Sequence, residues 1–239
     1  MPRLDSFPPL PEPDRRRIYL LRHADVTYFD RTGQPVDVDA VPISQVGQQQ
    51  AQAMAMALAP APLDRVMISP LVRCRQTAEI VLDQRELAIE TRDDLREIAP
   101  GPLDHLSDEW LPDAFVKAFG GDLSPERRFL GGETFASLLE RVGRCVEEIR
   151  RDDRWRHLLI VAHGGTNRAI LTAALGSGLK GFGQIEQDPV CLNLIDIDRH
   201  GVQLVRLLNF TPYNAIKEGL HLTTMERLFL EYVQRHQST

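Results

Sequence analysis

Leu158-Leu159-Ile160-Val161-Ala162-His163-Gly164-Gly165 is the stretch on which the reading of the fold turns. An unbroken apolar run from Leu158 to Ala162 suits a strand covered on both faces, as in a parallel sheet. His157 to Ala162 is therefore read as a buried strand, and Thr166 to Leu175 as the helix that follows it. Working outward, the same rhythm recurs. Arg17 to Leu21 is a short β-favouring run, and Gln45 to Leu58 has helical composition, with Met54, Ala55 and Leu58 able to share a face. Asp64 to Ser69 reads as a strand, and Pro70 stands where a helix running to Leu82 would begin. Leu87 to Glu90 is a further short strand. Val190 to Ile197 and Val202 to Leu208 read as two strands around a turn at Asp198 to Gly201. Alternating strands and helices argue for an α/β fold with a mainly parallel central sheet covered by helices on both faces.

Two stretches break the rhythm: Ala24 to Ser44, rich in Asp, Gly and Pro, and Arg96 to Gly132. Long segments after strand ends tend to carry function, so they are read as walls and a lid over residues 96–132. Residues 1–16 read as a flexible proline-rich arm, with Arg15, Arg16 and Arg17 as a solvated lead-in. Residues 17–239 then form a single domain. Thr223 to His236 is expected to be an amphipathic helix whose apolar side is Met225, Leu228, Phe229 and Tyr232.

A net charge of -6 argues against a nucleic-acid partner but allows a local basic pocket for a small anion. Three widely spaced cysteines, Cys74, Cys145 and Cys191, suit reduced thiols in the cytoplasm, with no disulfide framework or zinc site. No apolar run has the length of a membrane span.

Chemistry concentrates at strand ends. Ile18-Tyr19-Leu20-Leu21 runs into Arg22-His23, as the quoted strand runs into His163. A lone Arg-His pair is ordinarily a surface arginine beside a satisfied histidine. Two strands each delivering a histidine to one sheet edge, where α/β folds bind ligands, are harder to dismiss. Ser69-Pro70-Leu71-Val72-Arg73-Cys74-Arg75-Gln76-Thr77-Ala78 leaves a third strand and sets Arg73 in the first turn of a helix at the same edge. Gly164 and Gly165 let backbone N–H groups approach a ligand at a helix start, which favours an anion.

These segments resemble the histidine phosphatase superfamily, the phosphoglycerate-mutase-like enzymes, in order and spacing over Arg17 to Leu175. The resemblance implies a three-layer α/β/α sandwich and hydrolysis of small phosphate monoesters, with no metal or cofactor. His23 would be the nucleophile that forms a phosphohistidine, and His163 its electrostatic partner. Arg22, Arg73 and the Gly164 N–H would hold the phosphate. A monoester carries nearly two negative charges, which planar guanidinium forks match. Nearby arginines also favour a neutral nucleophilic ring. Asp94-Leu95-Arg96-Glu97-Ile98 resembles the segment carrying the general acid, which makes Glu97 the proton donor, although Asp93, Asp94 and Asp104 are close by. Gly132-Glu133-Thr134 is read as structural, opening a helix.

The match departs from the family pattern at Ala24, for the usual Gly, at Val26, for Ser or Thr, and at Phe29, for Asn. Fewer donors then remain unless Thr27 or Asn167 replaces them. Two alternatives stay open: a phosphoglycerate mutase, disfavoured because no extended insert is found, and a non-catalytic phosphate-binding module. The expected partner is a small phosphorylated metabolite, and the resemblance admits a homodimer. Among the lid residues, His105, Trp110, Phe115, Arg127 and Arg128 could each face substrate or core.

Overall fold

The computed structural model describes residues 14–30, 36–101 and 111–236. In chain order they form β1 (Arg15–Arg22), α1 (Gln45–Leu58), β2 (Arg65–Ile68), α2 (Val72–Leu82), β3 (Ile89–Thr91), α3 (Leu111–Val116), α4 (Phe135–Arg151), β4 (His157–Ala162), α5 (Gly164–Leu175), α6 (Gly178–Phe182), β5 (Leu192–Asp198), β6 (Gln203–Phe210) and α7 (Thr224–His236). The strands make one sheet in the order β3-β2-β4-β1-β5-β6. β3, β2, β4 and β1 run parallel, while β5 and β6 add an antiparallel edge. The mainly parallel sandwich expected from the sequence is what forms.

Side-chain alternation along the strands separates two apolar layers. Ile18, Leu20, Met67, Leu158 and Ile160 face α4 and α5, packing with Leu138, Val142, Ile149 and Ile170. Tyr19, Leu21, Val66, Ile68, Leu159 and Val161 face α1 and α2, packing with Ala51, Met54, Ala78 and Val81. β4, buried along nearly its whole length, is sandwiched between them. α1 begins at an N-cap, Ser44, whose Oγ accepts from Gly47 N at 3.0 Å. A Cβ on Gly47 would stand 2.4 Å from Asp25 O, so only glycine lets α1 sit against the loop leaving β1.

Boundaries differ from the sequence reading in three instructive places. β1 starts at Arg15, because Arg15 and Arg16 pair with Asp198 and Ile197 of β5. Those arginines are therefore strand residues, Arg15 exposed and Arg16 partly buried. The Arg16 guanidinium lies 4.6 Å over the Trp155 ring and donates to the Arg150 carbonyl at 2.6 Å. α2 starts at Val72 rather than Pro70, since Leu71 is still extended. α5 starts at Gly164, two residues before the expected Thr166, for a reason that belongs to the site.

Candidate active site

β1, β2 and β4 end side by side, and Arg22 at the end of β1, Arg73 of α2 and Gly164 at the start of α5 line one cavity of about 520 Å³. His23 follows β1, Ser69 follows β2 and His163 follows β4. The His23 and His163 rings meet edge to face with centroids 5.1 Å apart. Both are buried.

Hydrogen bonds assign the tautomers. His23 Nδ1 lies 2.8 Å from the Ala24 carbonyl, which can only accept. Nδ1 therefore carries the proton, and Nε2 keeps its lone pair. His163 Nδ1 lies 3.3 Å from Arg73 Nη2, which can only donate, so its proton sits on Nε2, 2.7 Å from Ser69 Oγ. In this state His163 accepts from Arg73 through Nδ1 and turns its Nε2–H to Ser69 Oγ. Ser69, quoted above only as part of a motif, is what turns the ring. Burial, then the charges of Arg73 and Arg22, push His23 well below the ordinary histidine value. Burial, Arg73, His23 and Arg22 do the same to His163. Cys74, 3.5 Å from His163 Nε2, is pushed up to about 12 by burial and stays a thiol.

Arg22 and Arg73 line the same cavity. Arg22 is held by Nη1 on the Gln187 carbonyl at 2.5 Å, and Arg73 by Nη1 on the Val38 carbonyl and Nη2 on His163. Their Nε atoms are buried without a protein partner. Two permanently charged groups with unused donors beside a bare imidazole nitrogen make a receptor for a phosphoryl dianion.

Glu97 reaches the cavity from the far side. Its Oε1 accepts from Ile98 N at 2.9 Å and Thr166 N at 3.2 Å, and Oε2 accepts from Gly165 N at 3.1 Å. The carboxylate thus satisfies the first donors of α5, which is why that helix begins at Gly164. It does not occupy the Gly164 N–H, the first of the helix, while the Asn167 N–H bonds the His163 carbonyl at 2.8 Å. A Cβ on Gly164 would stand 3.2 Å from Arg168 Nη1, 3.7 Å from Arg22 Nε and 3.8 Å from Glu97 Oε2, so Gly164 lies among all three. Asp93 pairs with Arg96, and Asp94 lies 3.8 Å from Arg144. Neither lines the cavity. Asp104, His105 and Trp110 lie outside the described residues.

Sequence reasoning missed two arginines. Arg168, one helical turn after Gly164, is buried beneath the cavity with Nε on the Ile185 carbonyl at 2.7 Å and Nη2 on Glu186 at 3.0 Å. The i,i+4 spacing was the available signal. Arg141 of α4 donates to the carbonyls of Asp94, Arg96 and Glu97 at 2.9, 2.8 and 3.1 Å and pairs with Glu133 at 2.9 Å. Glu133 in turn accepts from Ala99 N. These two side chains fasten the segment that carries Glu97. Thr134 caps α4 by accepting from Ser137 N at 3.1 Å, in keeping with the structural reading of that segment.

Neither suggested replacement donor lines the cavity. Thr27 is exposed and lines a separate groove, while Asn167 donates to Gln187 at 3.3 Å. Phe29, in place of a polar residue, is buried in the cavity wall and packs on Tyr232 at 5.6 Å. Phe115 also lines the wall, whereas Arg127 and Arg128 donate to the Gly120 and Gly132 carbonyls. No helix among the described residues is long and apolar enough to cross a membrane.

Comparison with known proteins agrees with this arrangement. The chain is 28% identical over 225 residues to the 2-carboxy-D-arabinitol-1-phosphatase of Triticum aestivum, covering 90% of this chain but 45% of that protein. It is 24% identical over 195 residues to the adenosylcobalamin/alpha-ribazole phosphatase of Escherichia coli, covering 81% of this chain and 95% of the relative. Among solved structures, the alpha-ribazole phosphatase of Shigella flexneri superposes with a TM-score of 0.67 at 23% identity, over 81% of this chain and 96% of that one. That likeness shows a shared fold, the phosphoglycerate-mutase-like one. Residues 18–209 match the model of the histidine phosphatase superfamily (branch 1), from β1 through all but the last residue of β6, and the chain belongs to that family.

Proposed function

We propose that the chain is a metal-independent phosphomonoesterase that works through a phosphohistidine at His23. The observation that carries this reading is the bare Nε2 of His23, fixed by the Nδ1–H bond to Ala24 and flanked by two arginines with unused donors. Arg22, Arg73 and the Gly164 N–H would grip the phosphoryl oxygens. The His23 Nε2 lone pair forms the N–P bond as the P–O ester bond breaks. Glu97, in its protonated form, gives its proton to the leaving alkoxide from Oε2, the oxygen beside Gly164. Water then attacks phosphorus, its proton returns to Glu97, and inorganic phosphate leaves with His23 neutral again. Guanidinium charge stabilises the equatorial oxygens throughout, in a water-poor site where such charges act strongly.

The test is hydrolysis of p-nitrophenyl phosphate in the presence of a chelator. Wild-type protein should turn over, and His23→Ala should lose essentially all activity. Full activity in His23→Ala would falsify the proposal. Trapping radiolabelled phosphate on His23 by rapid acid-free denaturation checks the intermediate separately.

A further inference from the structure

The phosphate floor is a small part of the cavity. Pockets of several hundred cubic ångströms hold whole organic ligands, so most of the 520 Å³ must receive the alcohol part of an ester. That outer part is walled by Phe29, Phe115, Phe119 and Phe129 together with Met225 and Leu228 of α7. α7 is braced there by Phe229 and Tyr232, whose rings lie 6.0 and 6.4 Å from that of Phe115.

The charged groups at the wall are already committed. Arg96 pairs with Asp39 at 3.1 Å and Asp93 at 3.4 Å, Arg168 pairs with Glu186 at 3.0 Å, and Glu97 is bonded to three N–H groups. Asp37 accepts the Asp39 N–H at 2.9 Å. Arg96, Asp37 and Asp39 lie at the exposed rim, whereas a substrate carboxylate or ammonium entering the apolar interior would lose its water beside aromatic and aliphatic side chains, which is costly. An apolar group would lose only water.

Resting on the phosphatase reading for its chemistry, we infer that the site selects phosphate monoesters of bulky, uncharged, apolar alcohols, and that α7 supplies the selecting wall. Burying several methylene or ring carbons is worth tenfold or more in kcat/KM, whereas the small charged esters gain nothing from the wall.

The experiment compares primary-alkyl phosphates of similar leaving-group strength: ethyl, n-octyl and 2-phenylethyl phosphate, with phosphoserine as the charged ester. The full chain should hydrolyse the octyl and phenylethyl esters with kcat/KM at least tenfold above ethyl phosphate and phosphoserine. Met225→Gln and Leu228→Asp should each cut that ratio severalfold. Turnover with a ratio near one, or a preference for phosphoserine, overturns the inference while leaving the phosphatase reading intact. If no ester turns over, calorimetric binding of octylphosphonate against methylphosphonate decides. At least tenfold tighter octylphosphonate supports the apolar chamber although the hydrolytic reading has failed, and equal affinities overturn the chamber as well. Because the wild-type ratio decides by itself, a variant that fails to fold does not rescue the idea.

Discussion

At Gly165 an added Cβ would stand 2.6 Å from Glu97 Oε1 and 3.0 Å from Ile98 Cγ2. This glycine is needed for space, since a helical φ suits any residue there. Gly165→Ala should therefore push the Glu97 carboxyl off its three N–H partners while leaving His23 untouched. The expected result is a fall of about tenfold or more in kcat on an alkyl phosphate. Glu97→Gln removes the proton outright and should cost about 10²–10⁴-fold on the same ester. Both losses should shrink on p-nitrophenyl phosphate, whose phenolate leaves without protonation. Steady-state rates on the two esters check this, and equal losses on both would remove Glu97 from proton donation. At the same scale, His23 and His163 show how a charge-rich site keeps its rings neutral: burial acts first and the arginines second.

Element by element, each motif at a strand end does arrive at the site, because strand termini of a parallel sheet lie together whatever the loops do. Arg22, His23, Arg73, His163 and Gly164 were legible for that reason. Their partners were not, since Glu97 to α5, Arg141 to the Glu97 segment and Arg22 to Gln187 are pairings across tens of residues that no local pattern encodes. Likewise α5 looked as though it began at Thr166, because glycines are poor helix formers; the carboxylate that starts it sits 67 residues upstream of Gly164. The antiparallel turn from β5 to β6 was readable from Asp198 to Gly201, but the Arg15 and Arg16 pairing with β5 needed the sheet order. Arg141 gives the clearest test of an element acting at a distance. Its side chain and that of Glu133 are mostly buried, at 16% and 13% exposure. Arg141→Met should destabilise the fold by about 1–3 kcal/mol, through Glu133 and the three carbonyls left unpaired. Chemical denaturation measures the loss. kcat should fall with less change in KM, since Arg141 positions the acid and not the phosphate.

On the scale of the whole molecule, the neutral histidines tie stability to pH. Unfolded histidine binds its proton near pH 6.5, while His23 and His163 in the folded protein bind theirs only at lower pH. Below pH 6.5 the unfolded chain therefore holds more protons, and stability falls as pH falls. The slope is about 1.4 kcal/mol per pH unit for each histidine until the folded value is reached. Urea midpoints between pH 7.5 and 5.5 should show this drop, and the His23→Ala, His163→Ala double variant should flatten it. A last consequence comes from residues 185–188. Ile185 and Glu186 hold Arg168, Gln187 holds Arg22, and Glu186 and Asp188 hold Thr224 and Arg227 of α7 at 2.9 and 3.2 Å. One short strip of chain, through its carbonyls and its carboxylates, is thus a common mooring for the floor of the cavity and its outer gatepost. By thermodynamic reciprocity, an anion that settles Arg22 should quiet amide exchange along α7, and Arg227→Met should loosen the grip on inorganic phosphate from a side chain that never meets it.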